Sequence, residues 1–211
     1  MDKALELNLI NRVAMGDIFR RRARSTPERT AIVEKREGKK IRLTYKELND
    51  QLNRFARGIR SLGLKKGDRV AGLCLNSYEY VITSLGLAKG GFVWVPLNPG
   101  ISPKDLAWMI NDSNAQVLVV DDQLLPLVAK MKDDIRNVKY FISIPVPKKT
   151  GLAPYLDFHD FLKDQSQEEV EDVIIYDRDP WQILYTSGTT ANPKGVVTSH
   201  LATFRDLYKT A

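Results

Sequence analysis

Arg69-Val70-Ala71-Gly72-Leu73-Cys74-Leu75 is an almost unbroken apolar run. A strand with one face in water alternates apolar and polar residues, whereas a strand covered on both faces reads apolar throughout. The next seventy residues repeat the pattern. Asn76 or Ser77 caps a helix that reaches about Lys89, and Phe92 to Pro96 is a second apolar strand. Ser102-Pro103 opens another helix, with proline at the first helical position where its missing N–H does no harm. Gln116 to Asp121 reads as a strand, Leu124 to Asp133 as a helix, and Val138 to Ile144 as a strand. Short apolar strands alternating with helices predict an α/β fold, a mostly parallel sheet covered by helices on both faces. Such sheets bind ligands beyond the carboxyl ends of their strands.

Towards the N-terminus, Gly16 to Arg24 reads as a short helix, and Thr30 to Lys35 and Lys39 to Leu43 as two strands around Gly38. Thr44-Tyr45-Lys46-Glu47 has the form of a capping box, threonine at the N-cap and glutamate three residues on. Leu48, Leu52, Phe55, Ile59 and Leu62 then fall at spacings of 4, 3, 4 and 3, one apolar stripe, and Gly63 supplies the stop. Towards the C-terminus, Pro145 to Pro154 is a loop with three prolines, Glu168 to Asp172 reads as a solvated acidic run, and Pro145 to Asp179 as a connection.

The 211 residues are 43% hydrophobic and 27% charged, as in an ordinary globular protein. The lone cysteine, Cys74, reads as a small buried hydrophobe, and the absence of a possible internal disulfide points to a reducing compartment. The Val81 to Pro99 stretch is broken by Lys89 and glycines, so no membrane span is expected, and the first residues do not form a secretory signal. A cytoplasmic protein is the expectation. The first 70 residues hold 19 Lys plus Arg against 9 Asp plus Glu. With no nucleic-acid motif beside them, they read as a solvated face, and Arg20 to Arg24 suits a helix C-terminus. His159 and His200 read as structural, and no His/Cys cluster suggests zinc.

The chemistry is concentrated after the strand Trp181-Gln182-Ile183-Leu184-Tyr185. The loop Thr186-Ser187-Gly188-Thr189-Thr190-Ala191-Asn192-Pro193-Lys194-Gly195 carries four hydroxyls, two glycines, one lysine and no acidic side chain. The strand Val196-Val197-Thr198 anchors its far end. Glycines let backbone N–H groups close on an anion, hydroxyls add donors, and lysine adds charge, so the composition suits phosphate. The bland alternative is an ordinary surface loop, since the same residue types dominate loops generally. It is not the Walker loop: after Gly188 that pattern needs Gly, Lys and Ser or Thr at 193–195, where Pro193, Lys194 and Gly195 stand.

Tyr185 to Val196 resembles the phosphate loop of the adenylate-forming enzymes, the acyl-CoA synthetases among them. Leu43-Thr44-Tyr45-Lys46-Glu47-Leu48 and Lys89-Gly90-Gly91-Phe92-Val93-Trp94-Val95-Pro96-Leu97-Asn98-Pro99 resemble two further segments of that family, in its order. The resemblance covers the whole chain and is nearest in tone to the fatty acyl-CoA ligases. It implies attack of a carboxylate on ATP to give acyl-AMP and pyrophosphate, then transfer to a thiol, usually coenzyme A. It implies that the loop grips phosphates: Thr186 as a Mg2+ ligand, Ser187, Thr189 and Thr190 as donors to phosphate oxygens, and Lys194 as added charge. Ala191 stands where the family usually has glycine. Alanine there costs roughly 1–2 kcal/mol if the position needs a positive φ, and little otherwise.

The resemblance also implies a division into a subdomain at 1–179 and the start of another at 180–211. The family's adenine site, Mg2+-binding glutamate, ribose-binding aspartate and catalytic lysine would all lie beyond Ala211. The expectation is therefore an N-terminal part of an ATP-dependent acid–thiol ligase, inactive by itself and able to self-associate through uncovered apolar surface. A non-catalytic nucleotide-binding or scaffolding protein of the same descent is the alternative, and no nucleic-acid partner is expected.

Overall fold

The computed structural model describes residues 2–144, 155–186 and 192–209. Its framework is one seven-stranded sheet in the order β7-β6-β5-β3-β4-β8-β9, with a separate two-stranded ribbon, β1-β2. The ribbon pairs β1 (Thr30–Arg36) antiparallel with β2 (Lys39–Thr44). In the large sheet β3 (Arg69–Leu73), β4 (Val93–Pro96), β5 (Val117–Asp121), β6 (Tyr140–Ile144), β7 (Tyr155–Asp157) and β8 (Pro180–Thr186) are parallel. Only β9 (Lys194–Ser199), at the edge, runs antiparallel to its neighbour. The predicted sheet with helices on both faces is the observed one.

Successive side chains of a strand point to opposite faces, and here both faces are filled. Val70, Trp94, Val117, Val119 and Ile142 pack with α3 (Tyr45–Ser61), α4 (Tyr78–Gly90) and α7 (Phe158–Lys163), through Leu52, Phe55, Ile82, Leu87 and Phe158. Their sequence neighbours Ala71, Val95, Leu118 and Val120 pack with α5 (Pro103–Asp112) and α6 (Leu125–Ala129), through Leu106, Ile110, Leu125 and Val128. The stripe on α3 is fully enclosed, Leu48, Leu52, Phe55 and Ile59 each 0% exposed. Each such side chain contributes about 1.5–3 kcal/mol by leaving water. The capping box is formed: the Thr44 hydroxyl accepts from the Glu47 N–H and the Glu47 carboxylate accepts from the Thr44 N–H. Gly72 lets the sheet accept Trp94, since a Cβ there would lie 1.8 Å from the indole.

Several expectations need correction. The helix predicted from Leu124 to Asp133 is broken into 3-10 turns at Asp122–Leu124 and Lys132–Asp134 around a five-residue α6. Pro126 sits in the first turn of α6 and can close no helical bond back to the preceding turn. The strand predicted to Leu75 ends at Leu73. The stretch read as a connection holds β7 and α7, while its residues 145–154 lie outside the described ones.

The charges also do more than face solvent. Arg54 on α3 donates to the carbonyls of Leu162, Lys163 and Gln165, and Arg57 to those of Glu168 and Glu169. Arg60 pairs with Asp172, and the buried Lys89 ammonium meets Glu169 at 2.5 Å and Asn49 at 2.7 Å. The basic helix thus binds down the segment that contains the acidic run. Near the N-terminus, α1 (Lys3–Asn11) and α2 (Asp17–Ser25) are joined by a buried two-point pair, Arg12 to Asp17 at 2.7 and 3.0 Å.

Candidate functional site

Because β8 runs parallel to β4, it delivers Thr186 to the carboxyl edge of the sheet, where such folds place ligands. Thr186 and Lys194 face each other as register partners at the mouth of the β8–β9 hairpin, with Tyr185 opposite Gly195 one step inside. The Thr186 hydroxyl leans towards the Lys194 carbonyl at 3.5 Å. Both side chains are exposed, and among the described residues the Lys194 ammonium has no ion-pair partner. The mouth therefore offers one cation and one hydroxyl to whatever approaches. Asn192 and Pro193 lie beside it, while Ser187, Gly188, Thr189, Thr190 and Ala191 fall outside the described residues.

The hairpin is fixed at its base by His200. Its Nδ1 accepts from the Met15 N–H at 3.2 Å, and its ring stacks on Trp181 with centroids 6.1 Å apart. The indole N–H of Trp181 donates to the Thr203 hydroxyl at 2.8 Å. His200 is 1% exposed, and burial pushes its pKa down to about 4, so the ring is neutral at ordinary pH. This is the structural part expected of it. The His200 N–H donates to the Asp179 carbonyl and starts α8 (His200–Lys209).

Near the mouth, the Tyr185 hydroxyl donates to Asp112 at 2.6 Å and its ring stands edge-on to Trp108, centroids 6.0 Å apart. Burial and then the Asp112 carboxylate push the Tyr185 pKa upward, so the phenol keeps the proton it donates. Sequence reading missed Trp108 and Asp112, whose only signal is their i, i+4 spacing on α5. A cleft of about 440 Å³ opens between α5 and Asn192, lined by Lys104, Trp108, Asn111 and Arg136.

His159 is more than a spacer. Its Nε2 lies 3.4 Å from a Glu79 carboxylate that is 0% exposed and also receives Arg36 at 2.6 and 2.9 Å. This cluster ties β1, α4 and α7 together on the opposite side of the sheet from α5. Among the described residues no group of three or more His, Cys, Asp or Glu is placed to hold a metal, and no helix is long and apolar enough to cross a membrane.

The parallel sheet and the hairpin mouth at its carboxyl edge define an α/β domain, and the chain belongs to the AMP-binding enzyme family, whose model matches residues 19–211. It is 33% identical over 165 residues to a long-chain-fatty-acid–CoA ligase of Thermus thermophilus, covering 78% of this chain and 29% of that protein. It is 34% identical over 181 residues to a crotonobetaine/carnitine–CoA ligase of Proteus mirabilis, covering 82% of this chain and 34% of that one. Among solved structures, a Mycobacterium tuberculosis fatty acyl CoA synthetase superposes with a TM-score of 0.75 at 29% identity, over 89% of this chain and 34% of that one. The chain thus spans about a third of the length of the curated relatives it matches.

Proposed function

We propose that this chain supplies the phosphate-holding part of an ATP-dependent, AMP-forming acid–CoA ligase. The observation that carries the reading is the hairpin mouth at the carboxyl edge of the sheet, with Thr186 and Lys194 paired across it and Lys194 uncommitted among the described residues. In this reading residues 1–179 form one subdomain, and 180–211 begin another.

Residues 186–195 hold the β- and γ-phosphates of ATP while a carboxylic acid attacks the α-phosphorus and pyrophosphate leaves; coenzyme A then takes the acyl group. The loop's part is positioning and charge stabilisation, not proton transfer. Ser187, Thr189 and Thr190 donate to phosphate oxygens, and Lys194 offsets their charge. The Thr186 oxygen, exposed and among the described residues held by one long contact, suits a hard cation such as Mg2+. Among the described residues no cluster of carboxylates accompanies it, so what this chain would offer Mg2+ is that hydroxyl. The ion would supply charge neutralisation between the phosphates. Exposed Leu184, Val196 and Val197 on the same hairpin support self-association of the isolated chain.

The test is a MgATP titration of the 15N-labelled protein. Amides of residues 186–195 shift in the wild type and respond at least tenfold more weakly in Lys194→Ala. Alongside it, pyrophosphate release is measured with a panel of fatty acids. Unmoved loop amides overturn phosphate binding. Turnover by the 211-residue chain above the Lys194→Ala control overturns the view that it needs further parts to make acyl-AMP.

A further inference from the structure

We infer that Trp108 and Asp112 of α5 are positioning residues for the phosphate loop, holding the chain at Tyr185 where it enters. This rests on the reading of residues 186–195 as the ATP phosphate site and adds to it the element that aims the loop.

The hairpin needs such a support. Its outer strand β9 is a sheet edge, and its inner strand β8 shares one register pair with β4. His200 and Trp181 secure the base, at the far end of both strands from the mouth. Beside the mouth, support comes from α5. On the entering shoulder, Tyr185 immediately precedes Thr186; its hydroxyl bonds Asp112 at 2.6 Å and its ring meets the Trp108 edge at 6.0 Å with the planes at 87°. On the leaving shoulder, Asn192 shares the 440 Å³ cleft with Trp108, Asn111 and Arg136.

The helix itself is a firm abutment. Leu106, Ala107, Met109 and Ile110 root its inner face in the core, at 0 to 3% exposure. Asn111 fixes its outer face, donating to the Asp134 carbonyl at 2.7 Å and accepting from the Arg136 N–H at 2.9 Å. Groups held on a packed helix are placed more accurately than groups held on a loop. A loop that grips phosphate with its amides works only when they converge, so a small swing of Tyr185 disperses several donors at once.

The experiment uses the 15N-labelled 211-residue protein, MgATP as probe, and the variants Asp112→Ala, Tyr185→Phe, their double and Asp112→Asn. Asn keeps an acceptor for the phenol. Asp112→Ala and Tyr185→Phe are expected to weaken MgATP threefold to tenfold, and the double no more than either single. Asp112→Asn is expected to stay within twofold of the wild type. Asp112 is exposed and Tyr185 half-buried; urea midpoints check that the variants fold, and a purely structural role would shift the midpoint while leaving the Kd of folded protein unchanged. Equal Kd values in wild type and Asp112→Ala, or additive losses in the double, overturn the inference while leaving phosphate binding intact. Absence of binding by the wild type overturns the phosphate reading instead. Hydrogen exchange at the Thr186 and Lys194 amides then decides for α5: faster exchange in Asp112→Ala supports the grip, and unchanged exchange ends it.

Discussion

Replacing Glu79 with glutamine separates two titrations that meet at one carboxylate. Burial by itself would raise the Glu79 pKa, but the His159 contact and the Arg36 pair override it and hold the group at about 2, against an ordinary 4.5. At about 1.4 kcal/mol for each tenfold change in acidity, the difference amounts to about 3 kcal/mol. The folded value lies below the unfolded one, so this stability is present above pH 4.5 and is lost as pH falls towards 2. His159 moves the other way. Its hydrogen bond with Glu79 raises it above 6.5, so its share is complete below pH 6.5 and fades as pH climbs past the raised value. Half-exposed, it contributes far less than the glutamate.

In Glu79→Gln the acid-dependent loss between pH 4.5 and 2 should shrink, and His159 should titrate lower. The variant should also lose roughly 2–3 kcal/mol at pH 6, below the usual cost of breaking a buried pair because Arg36 is partly exposed. The chain has two histidines, which makes the readout simple. In NMR titrations His200 should stay near 4 in both proteins, since burial, not Glu79, sets it. Urea unfolding at a series of pH values gives the stability. Parallel acid losses in wild type and variant, or an unmoved His159, would refute the assignment of Glu79 as the shared partner.

Gly72→Ala should cost at least 1–3 kcal/mol, because its Cβ would enter the Trp94 ring; urea midpoints and Trp fluorescence check it. Thr44→Ala removes the hydroxyl that receives the Glu47 N–H and should lower stability by about 0.5–2 kcal/mol, with Thr44→Ser recovering most of it. Lys194→Ala should leave the unfolding free energy from urea titration within about 0.5 kcal/mol of the wild type, as for an exposed side chain, so that any loss of MgATP binding reports on the site.

The parallel sheet was legible because its strands are apolar on both faces, and α3 because Thr44, Glu47 and the stripe from Leu48 to Ile59 agree locally. Elements held by distant partners were not. Nothing near α1 in sequence announces that Asn8 will bond both the N–H and the carbonyl of Ile175. At three and six residues, β7 and α7 are too short to show a period, and Phe158 is fixed by stacking on Phe55 from another helix. Composition singled out the loop, and the family resemblance supplied the roles expected of Thr186 and Lys194. The part of Tyr185 needed Asp112, seventy-three residues earlier, which only the folded chain brings within 2.6 Å.

The arginines of α3 spend their charge on peptide oxygens as much as on carboxylates. One guanidinium, that of Arg54, reaches three carbonyls and the Gln167 side chain, stitching a stretch with little regular structure of its own to a rigid helix. A lysine would keep the charge and drop the stitch, because a single ammonium lacks the planar fork that spans several acceptors. Added salt, which loosens exposed ion pairs, has far less purchase on a fork seated among dipoles. The segment across α3 should accordingly stay closed in brine and open on a change of one side chain that leaves the net charge untouched.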